Sequence, residues 1–358
     1  MEQLRGRPRI ADVAREAGVS KTAVSFAFNS PERLNPDTAT RIHEVADSLG
    51  YRPHPVARML TQRRTRTLGI LTPQALSVVF ANPFFATFSE GVAVVAEEAG
   101  YGLLFVSPVY GSLANAVGRA TVDGFVAIGL SEEHPEVGQI RRADLPIVLV
   151  DSAAFPEHMA VDVDDEGGAR MAAEHLLALG HRDILVVGVE PPTPGAHPDF
   201  GGVVGRRLAG YRVALRNAGV ELPDSHVVVG PASIDGGAAC LTRAWEDGLR
   251  PTAVLVMSDV MAIGAISAAG RLGLEVPADL SVVGFDDIEL ARHVRPPLTT
   301  VHQPVRRKGE EACRLLLAAI ERRDTAQPDH RRLETRLIIR ESSGPAPALR
   351  REAGGGTD

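Results

Sequence analysis

At 358 residues the chain is too long for one ordinary hydrophobic core, so two or three domains are expected. With 44% hydrophobic and 23% charged residues, no apolar leader after Met1 and no bilayer-length apolar run, the expectation is a cytoplasmic globular protein with no membrane partner. Cys240 and Cys313 are too few for a disulfide framework or a zinc cage, and the net charge of −7 hides a basic start. Residues 1–66 hold 12 Lys and Arg against 7 Asp and Glu, which points to a polyanion met by that end alone.

Arg5, Arg7 and Arg9, interleaved with Gly6 and Pro8, open the chain as a basic arm suited to phosphate or minor-groove contact. A solubilising tail is the alternative. Residues 10–29 read IADVAREAGVSKTAVSFAFN, with Ile10, Val13, Ala14 and Ala17 on one face of a short helix. Gly18 interrupts where a tight turn needs positive φ, and Ser20 caps a second helix whose inner face is Ala23, Val24 and Ala27. This spacing of small, turn and β-branched residues is that of a DNA-reading helix-turn-helix; a generic helical hairpin is the other reading. Lys21, Thr22, Ser25 and Phe26 face outward, the first two placed for base edges and Phe26 for thymine methyls. Ser20 and Asn29 complete this DNA-facing set. A third helix begins with Asn35 as cap and Pro36 in its first turn, carries Ile42, Val45, Ala46 and Leu49, and ends at Gly50.

Pro53 and Pro55 forbid continuation of that helix, and residues 56–60 are too short for a stable helix of their own. Met59 and Leu60 are then apolar residues on a linker, which gains a purpose if it folds against DNA and wedges Leu60 into the minor groove.

From residue 67 apolar runs at 68–71, 103–106, 125–128, 147–150, 184–187, 253–256 and 282–285 alternate with helical stretches such as 84–99, 168–179 and 260–272. Such alternation predicts an α/β body of doubly wound parallel sheets, and its length predicts two lobes. Ligands bind beyond the carboxyl ends of strands in such sheets, which singles out Phe84, Phe85, Asp151, Arg207, Ser258 and Asp286. Asp286 can accept bonds from ligand hydroxyls, Arg207 offers a planar donor fork, and either phenylalanine can stack on a ring. Asp287 is read as a cap of the next turn. Residues 162–167 resemble the start of a calcium loop, but Ala173 stands at the twelfth position, so the acidic run is read as a helix N-terminus. No GxxxxGK, HExxH, CxxC or GxSxG occurs, so the expectation is a binding protein with no catalytic residue, metal or cofactor.

The run IADVAREAGVS, followed by TAVS and LGYRPHPVARML at 49–60, closely resembles the lactose-repressor (LacI/GalR) family of bacterial regulators. The likeness resumes at NPFF (82–85), AGY (209–211), SDVMAIG (258–264), VP with LSVVGFDD (276–287) and PLTTVHQP (297–304), and so spans nearly the whole chain. The resemblance implies a periplasmic-binding-protein-like body with crossovers near 161–165, 287–297 and 328–336. Lobe one is then 67–161 with 297–328, and lobe two 165–290 with 334–343. It implies a head at 1–51, a hinge at 52–66 and a body at 67–343; the Gly-, Pro- and Ala-rich 344–358 is expected to be disordered. Lys21, Thr22 and Phe26 take the sequence-reading positions, Ala57 and Leu60 the hinge positions, and Arg207 and Asp286 the firmest effector positions. The implied protein is a homodimeric repressor on double-stranded operator DNA, controlled by a sugar or sugar derivative, with a nucleobase or nucleoside second.

Phe26 replaces an arginine of some members, and Ser258 an asparagine. Residues 106–122 are about ten residues shorter than usual, so a truncated helix is expected there. Ala232-Ser-Ile-Asp235 stands where some members carry an aromatic platform, which disfavours a large flat effector. A solute-binding protein without DNA function is the rival reading, opposed by the head; an RNA regulator lacks the expected aromatic strand.

Overall fold

The computed structural model describes residues 8–52, 64–130, 134, 136–142, 145–152, 159–190, 202–321 and 329–347. The chain divides into two compact units, Met1–Thr65 and Arg66–Asp358.

The first unit holds α1 (Ile10–Glu16), α2 (Lys21–Asn29) and α3 (Pro36–Leu49), with a 3₁₀ turn at Pro31–Arg33. Gly18 takes φ +65°, the left-handed turn the sequence requires between α1 and α2. The Ser20 hydroxyl accepts from the Ala23 N–H at 3.1 Å, and Asn35 Oδ1 accepts from the Asp37 N–H at 2.9 Å, so both predicted caps form. Val13, Ala14, Ala17, Val24, Ala27, Ile42 and Ala46 are buried together, with Tyr51 closing the cluster. Leu49, expected on the inner stripe, is exposed; it is Tyr51, beyond the left-handed Gly50, that packs against Phe28 of α2.

The second unit contains two six-stranded sheets. Lobe one is built from β1 (Thr67–Leu71), β2 (Gly102–Val106), β3 (Phe125–Ile128), β4 (Ile147–Val150), β5 (Met159–Val163) and β11 (His330–Leu333). Their order is β11-β5-β4-β3-β1-β2, parallel throughout. Lobe two is built from β6 (Ile184–Val189), β7 (Val227–Gly230), β8 (Ala253–Val256), β9 (Ser281–Asp286), β10 (Thr299–His302) and β12 (Arg336–Ile338). Their order is β12-β10-β9-β8-β6-β7, parallel except that β12 runs antiparallel to β10. Strands such as FVAI and AVLV are buried at every position because helices cover both faces, which is why they read as unbroken apolar runs.

In lobe one, α4 (Leu76–Ala81) leads into α5 (Pro83–Glu98), which packs with α12 (Val305–Glu321) on one face; the short α6 (Leu113–Arg119) and α7 (Val137–Arg141) follow β2 and β3. The seven residues of α6 are the truncated helix anticipated in that stretch. In lobe two, α8 (Asp165–Ala178) and α9 (Gly202–Asn217) pack on one face, α10 (Ile234–Glu246) and α11 (Asp259–Arg271) on the other.

The second crossover departs from expectation. β10 pairs with β9 in lobe two, from Thr299 opposite Val283 to His302 opposite Asp286, so the chain changes lobes at residues 303–304 rather than at 287–297. Residues 297–302 are therefore in lobe two, and only from α12 onward does that stretch pack on lobe one. Between β9 and β10 lies only a 3₁₀ turn, Glu289–Arg292, so no helical pattern betrayed a further strand of the same sheet. β11 then belongs to lobe one and β12 to lobe two, which puts the third crossing at 334–335.

The start of the predicted disordered tail is also corrected. The Gly344 N–H donates to Ser281 Oγ at 3.0 Å, and Ala346 is buried with its N–H on the Leu179 carbonyl at 2.9 Å. Composition alone concealed that lobe two satisfies these backbone groups. Residues 348–358 lie outside the described residues. Among the described residues, no helix is long and apolar enough to cross a membrane.

Candidate functional site

In the head, Lys21 and Thr22 are exposed in the first turn of α2, on the side away from the core. Ser25 and Phe26 are half-buried on the following turn; Asn29 Nδ2 donates to Ser25 Oγ at 3.3 Å, and the Arg33 guanidinium lies 5.4 Å from the Phe26 ring centre. Phe26 is thus already capped by a cation, and Arg33, not anticipated from the sequence, joins the same surface. Arg9 is exposed just ahead of α1, its backbone N–H bonded to Asp12 Oδ2 at 2.9 Å, and that bond holds the Asp12 carboxyl below its usual pKa. His43 Nε2 lies 3.1 Å from the Ala27 carbonyl and packs edge-on against Phe28, which locks α3 to the end of α2. Arg7, Ala57 and Leu60 lie outside the described residues.

In the body, the predicted polar residues gather at strand ends. Asp151 follows β4 and Asp286 ends β9, with φ +55° and +129°; Asp287 follows at +59°. Such conformations cost side-chain-bearing residues about 1–3 kcal/mol each and persist only where surrounding bonds enforce them. Here the bonds are plain. Asp286 Oδ2 accepts from Ser258 Oγ at 3.2 Å, and Oδ1 accepts from Gln303 Nε2 at 2.6 Å with Arg207 Nη1 3.7 Å away. Arg207 Nε donates to Asp165 Oδ1 at 2.9 Å, its Nη1 donates to the Met257 carbonyl at 2.5 Å, and the guanidinium stacks 3.6 Å from the Phe285 ring centre. Arg206 donates twice to Asp165 Oδ2, so Asp165, in the first turn of α8, anchors both arginines. Arg207, Ser258 and Asp286 therefore come together, as the sequence anticipated.

Electrostatics follow from burial. Desolvation raises the Asp286 carboxyl to about 6 despite Arg207, Gln303, Lys308 and Ser258, which all favour its charge. Desolvation raises neighbouring Asp259 too, and the Asp286 charge pushes it further. Burial opposes the charge of Arg207, but Asp165 and Asp286 outweigh it and hold the guanidinium protonated. Asp287 is not a turn cap. Burial raises its carboxyl, yet bonds to His302 at 3.0 Å and from Arg340 at 2.6 Å prevail, and its pKa falls.

Phe84 and Phe85 open α5, where Asn82 Oδ1 accepts from the Phe84 N–H at 3.0 Å. Their rings meet edge to face at 5.4 Å. A cavity of about 530 Å³ is lined by Phe84, Asp286, Gln303 and the segment leading into α12, together with Thr87 and Glu90. Phe84 and Asp286 share this cavity, whereas Phe85, Asp151, Arg207 and Ser258 do not line it. The sequence reading missed Asp165, Gln303 and Lys308. Lys308 did carry a signal: a lysine on the same helical face as Val305, Gly309, Ala312 and Leu316 demands a buried partner. Among the described residues, no group of three or more His, Cys, Asp or Glu side chains could hold a metal. Asp164 instead caps α8, its Oδ1 accepting from the Gly167 N–H at 3.0 Å.

A three-helix head with a second helix presented this way, followed in the chain by a two-lobed sheet body with polar groups converging at strand ends, defines a helix-turn-helix transcriptional regulator with a ligand-sensing body. Residues 9–54 match the family described as bacterial regulatory proteins, lacI family, and residues 173–343 match a periplasmic binding protein-like domain. The HTH-type transcriptional regulator CelR of Thermobifida fusca is 33% identical over 345 residues, covering 94% of this chain and 99% of that protein. A solved CelR–cellobiose complex aligns with a TM-score of 0.69 at 31% identity, over 94% of this chain and 100% of that one. The lac repressor dimer bound to operator and the anti-inducer ONPF aligns at 0.79 and 25% identity, over 95% and 100%. The chain belongs to the LacI family of bacterial regulatory proteins.

Proposed function

We propose that the protein is a cytoplasmic repressor that binds a two-fold symmetric operator as a homodimer and acts by binding rather than catalysis. Its effector is a sugar or sugar derivative held between the lobes, against Phe84 on one side and Arg207, Ser258 and Asp286 on the other. The convergence of Arg207, Ser258 and Asp286 at the strand ends of lobe two, with Asp286 sharing a cavity with Phe84, carries this reading. The cellobiose held by the CelR relative supports a carbohydrate. Exposed apolar side chains support self-association: Val78, Phe80 and Leu104 in lobe one, Ile234 and Leu290 in lobe two.

On DNA, Lys21, Thr22 and Phe26 read base edges while Ser20, Ser25 and Asn29 steady the helix, Arg7 and Arg9 contact the backbone, and Ala57 and Leu60 belong to a hinge that enters the minor groove. A ligand that prefers one lobe arrangement changes the spacing of the two hinges and so operator affinity.

Selection of bound duplexes from a randomised DNA pool is the test of the DNA half. An enriched, roughly palindromic site is expected, and Leu60→Ala should weaken that site far more than unrelated DNA; the absence of any enriched sequence would overturn the reading. For the effector half, thermal stability is measured against sugars, sugar phosphates and nucleosides. A ligand at a hundred times its dissociation constant adds about 2.7 kcal/mol. A response to nucleosides alone, or one that survives Asp286→Ala unchanged, would refute the carbohydrate site.

A further inference from the structure

Lys308 is one of only two lysines in the chain, and it is wholly buried. Its place is set by a close helix contact. A Cβ on Gly91 would lie 2.0 Å from the Arg306 carbonyl oxygen, and one on Gly309 would lie 2.2 Å from that of Phe88. The two glycines let α5 and α12 touch backbone to backbone and bring the first turn of α12 beneath the end of β4. There Lys308 Nζ donates to both oxygens of Asp151, at 2.7 and 2.8 Å, and to Gln303 Oε1 at 2.5 Å. Three ammonium protons meet three acceptor atoms, so Lys308 has no proton left for a ligand, and Asp151 is engaged as its counter-ion.

Gln303, itself buried at the second crossover, carries the connection on, its Nε2 donating to Asp286 Oδ1 at 2.6 Å. Its amide can bond both neighbours in one orientation only. Turned over, its NH₂ would meet the ammonium and its carbonyl the carboxylate. The chain Asp151–Lys308–Gln303–Asp286 thus runs from a strand end in lobe one, through the crossover, to a strand end in lobe two.

We propose that Lys308 is a positioning residue of the ligand cleft, acting through Gln303 to fix Asp286 and so tying the ligand-facing carboxylate of lobe two to lobe one. The proposal rests on the reading of Asp286 as an effector contact. A ligand hydroxyl that takes Asp286 Oδ1 competes with Gln303 Nε2, releases the amide and is felt at Asp151. A lysine serving only as the local counter-ion of Asp151 would feel only the Asp286 charge through space.

Having two lysines makes the test direct. The full-length protein, labelled with ¹³C and ¹⁵N in lysine alone, gives two side-chain NMR signals, and Lys21→Arg removes the one from the head. Asp286→Asn, a near-isosteric change in the other lobe, is expected to shift the Lys308 signal and to speed exchange of its ammonium protons several-fold. With Gln303→Leu as background, Asp286→Asn should have a markedly smaller effect, that of the lost charge acting through space. A Lys308 signal unmoved by Asp286→Asn, or moved equally with and without Gln303, overturns the relay. The effector response of Asp286→Ala is measured separately, so failure of the relay and failure of the effector site give different results.

Discussion

Arg207 and Asp165, 42 residues apart in sequence, meet in the interior of lobe two at 2.9 Å, both nearly closed to solvent. The bond joins the helix that follows the first crossover to the helix that carries Arg206 and Arg207. Replacing Arg207 with Met leaves Asp165 to Arg206 alone and strips Asp286 of its nearest cation, at an expected cost of about 3–5 kcal/mol in urea unfolding. Arg207→Lys should recover less than half of that, since an ammonium cannot serve Asp165 and the Met257 carbonyl while stacking flat on Phe285. Full recovery by lysine would show that charge alone matters there.

The contact between α5 and α12 predicts opposite outcomes for two chemically identical changes. Gly91→Ala drives a methyl into the Arg306 backbone and should destabilise by about 1–3 kcal/mol or more, with lobe one affected first. Gly118→Ala, on the exposed side of α6 with nothing within 4 Å, should stabilise by about 0.5–1 kcal/mol. Denaturant midpoints of the two variants check both signs.

Tyr211 is fully buried beneath the cleft, and its hydroxyl has no hydrogen-bond partner among the described residues. Burial holds the phenol neutral, its pKa raised far above normal. An unmade buried bond costs roughly 1–3 kcal/mol, so Tyr211→Phe should be neutral or stabilising. A clear loss of stability in that variant would mean that the hydroxyl is satisfied after all.

Acid should reveal the carboxylate pair. Because burial raises Asp286 to about 6, its folded-state pKa exceeds its unfolded value near 3.8. The folded state then holds a proton that the unfolded chain has released, so this contribution is full below the unfolded pKa, falls as pH rises between about 4 and 6, and is constant above. Across that window wild type should lose on the order of 3 kcal/mol relative to Asp286→Asn, which cannot titrate. Equal pH slopes for the two proteins would place Asp286 in the ordinary carboxylate range.

Local signals told the most about the head. Ser20, Asn35 and Gly18 act on atoms within three residues of themselves, so their roles could be read directly, and Val13, Val24 and Ile42 followed from periodicity. In the body, unbroken apolar runs located strands such as β3 and β8 to the residue. β5, β7, β10, β11 and β12 went unnoticed: β5 flanks a crossover, β7 is a half-buried edge strand, and β10, β11 and β12 lack the helix on both sides that makes a βαβ unit recognisable. Family resemblance marked Arg207, Ser258 and Asp286, and these three do meet.

By itself, then, the sequence determined the helix-turn-helix, the alternating α/β body, the basic head on an acidic chain and the strand-end carboxylates, since each depends on neighbours close along the chain. Only the tertiary structure decided which lobe owns Thr299–His302, why residues 344–346 are held, and that Lys308 is answered by Asp151. Partners 157 residues apart leave no mark on local pattern, and a buried charge says only that it must be matched, not by what.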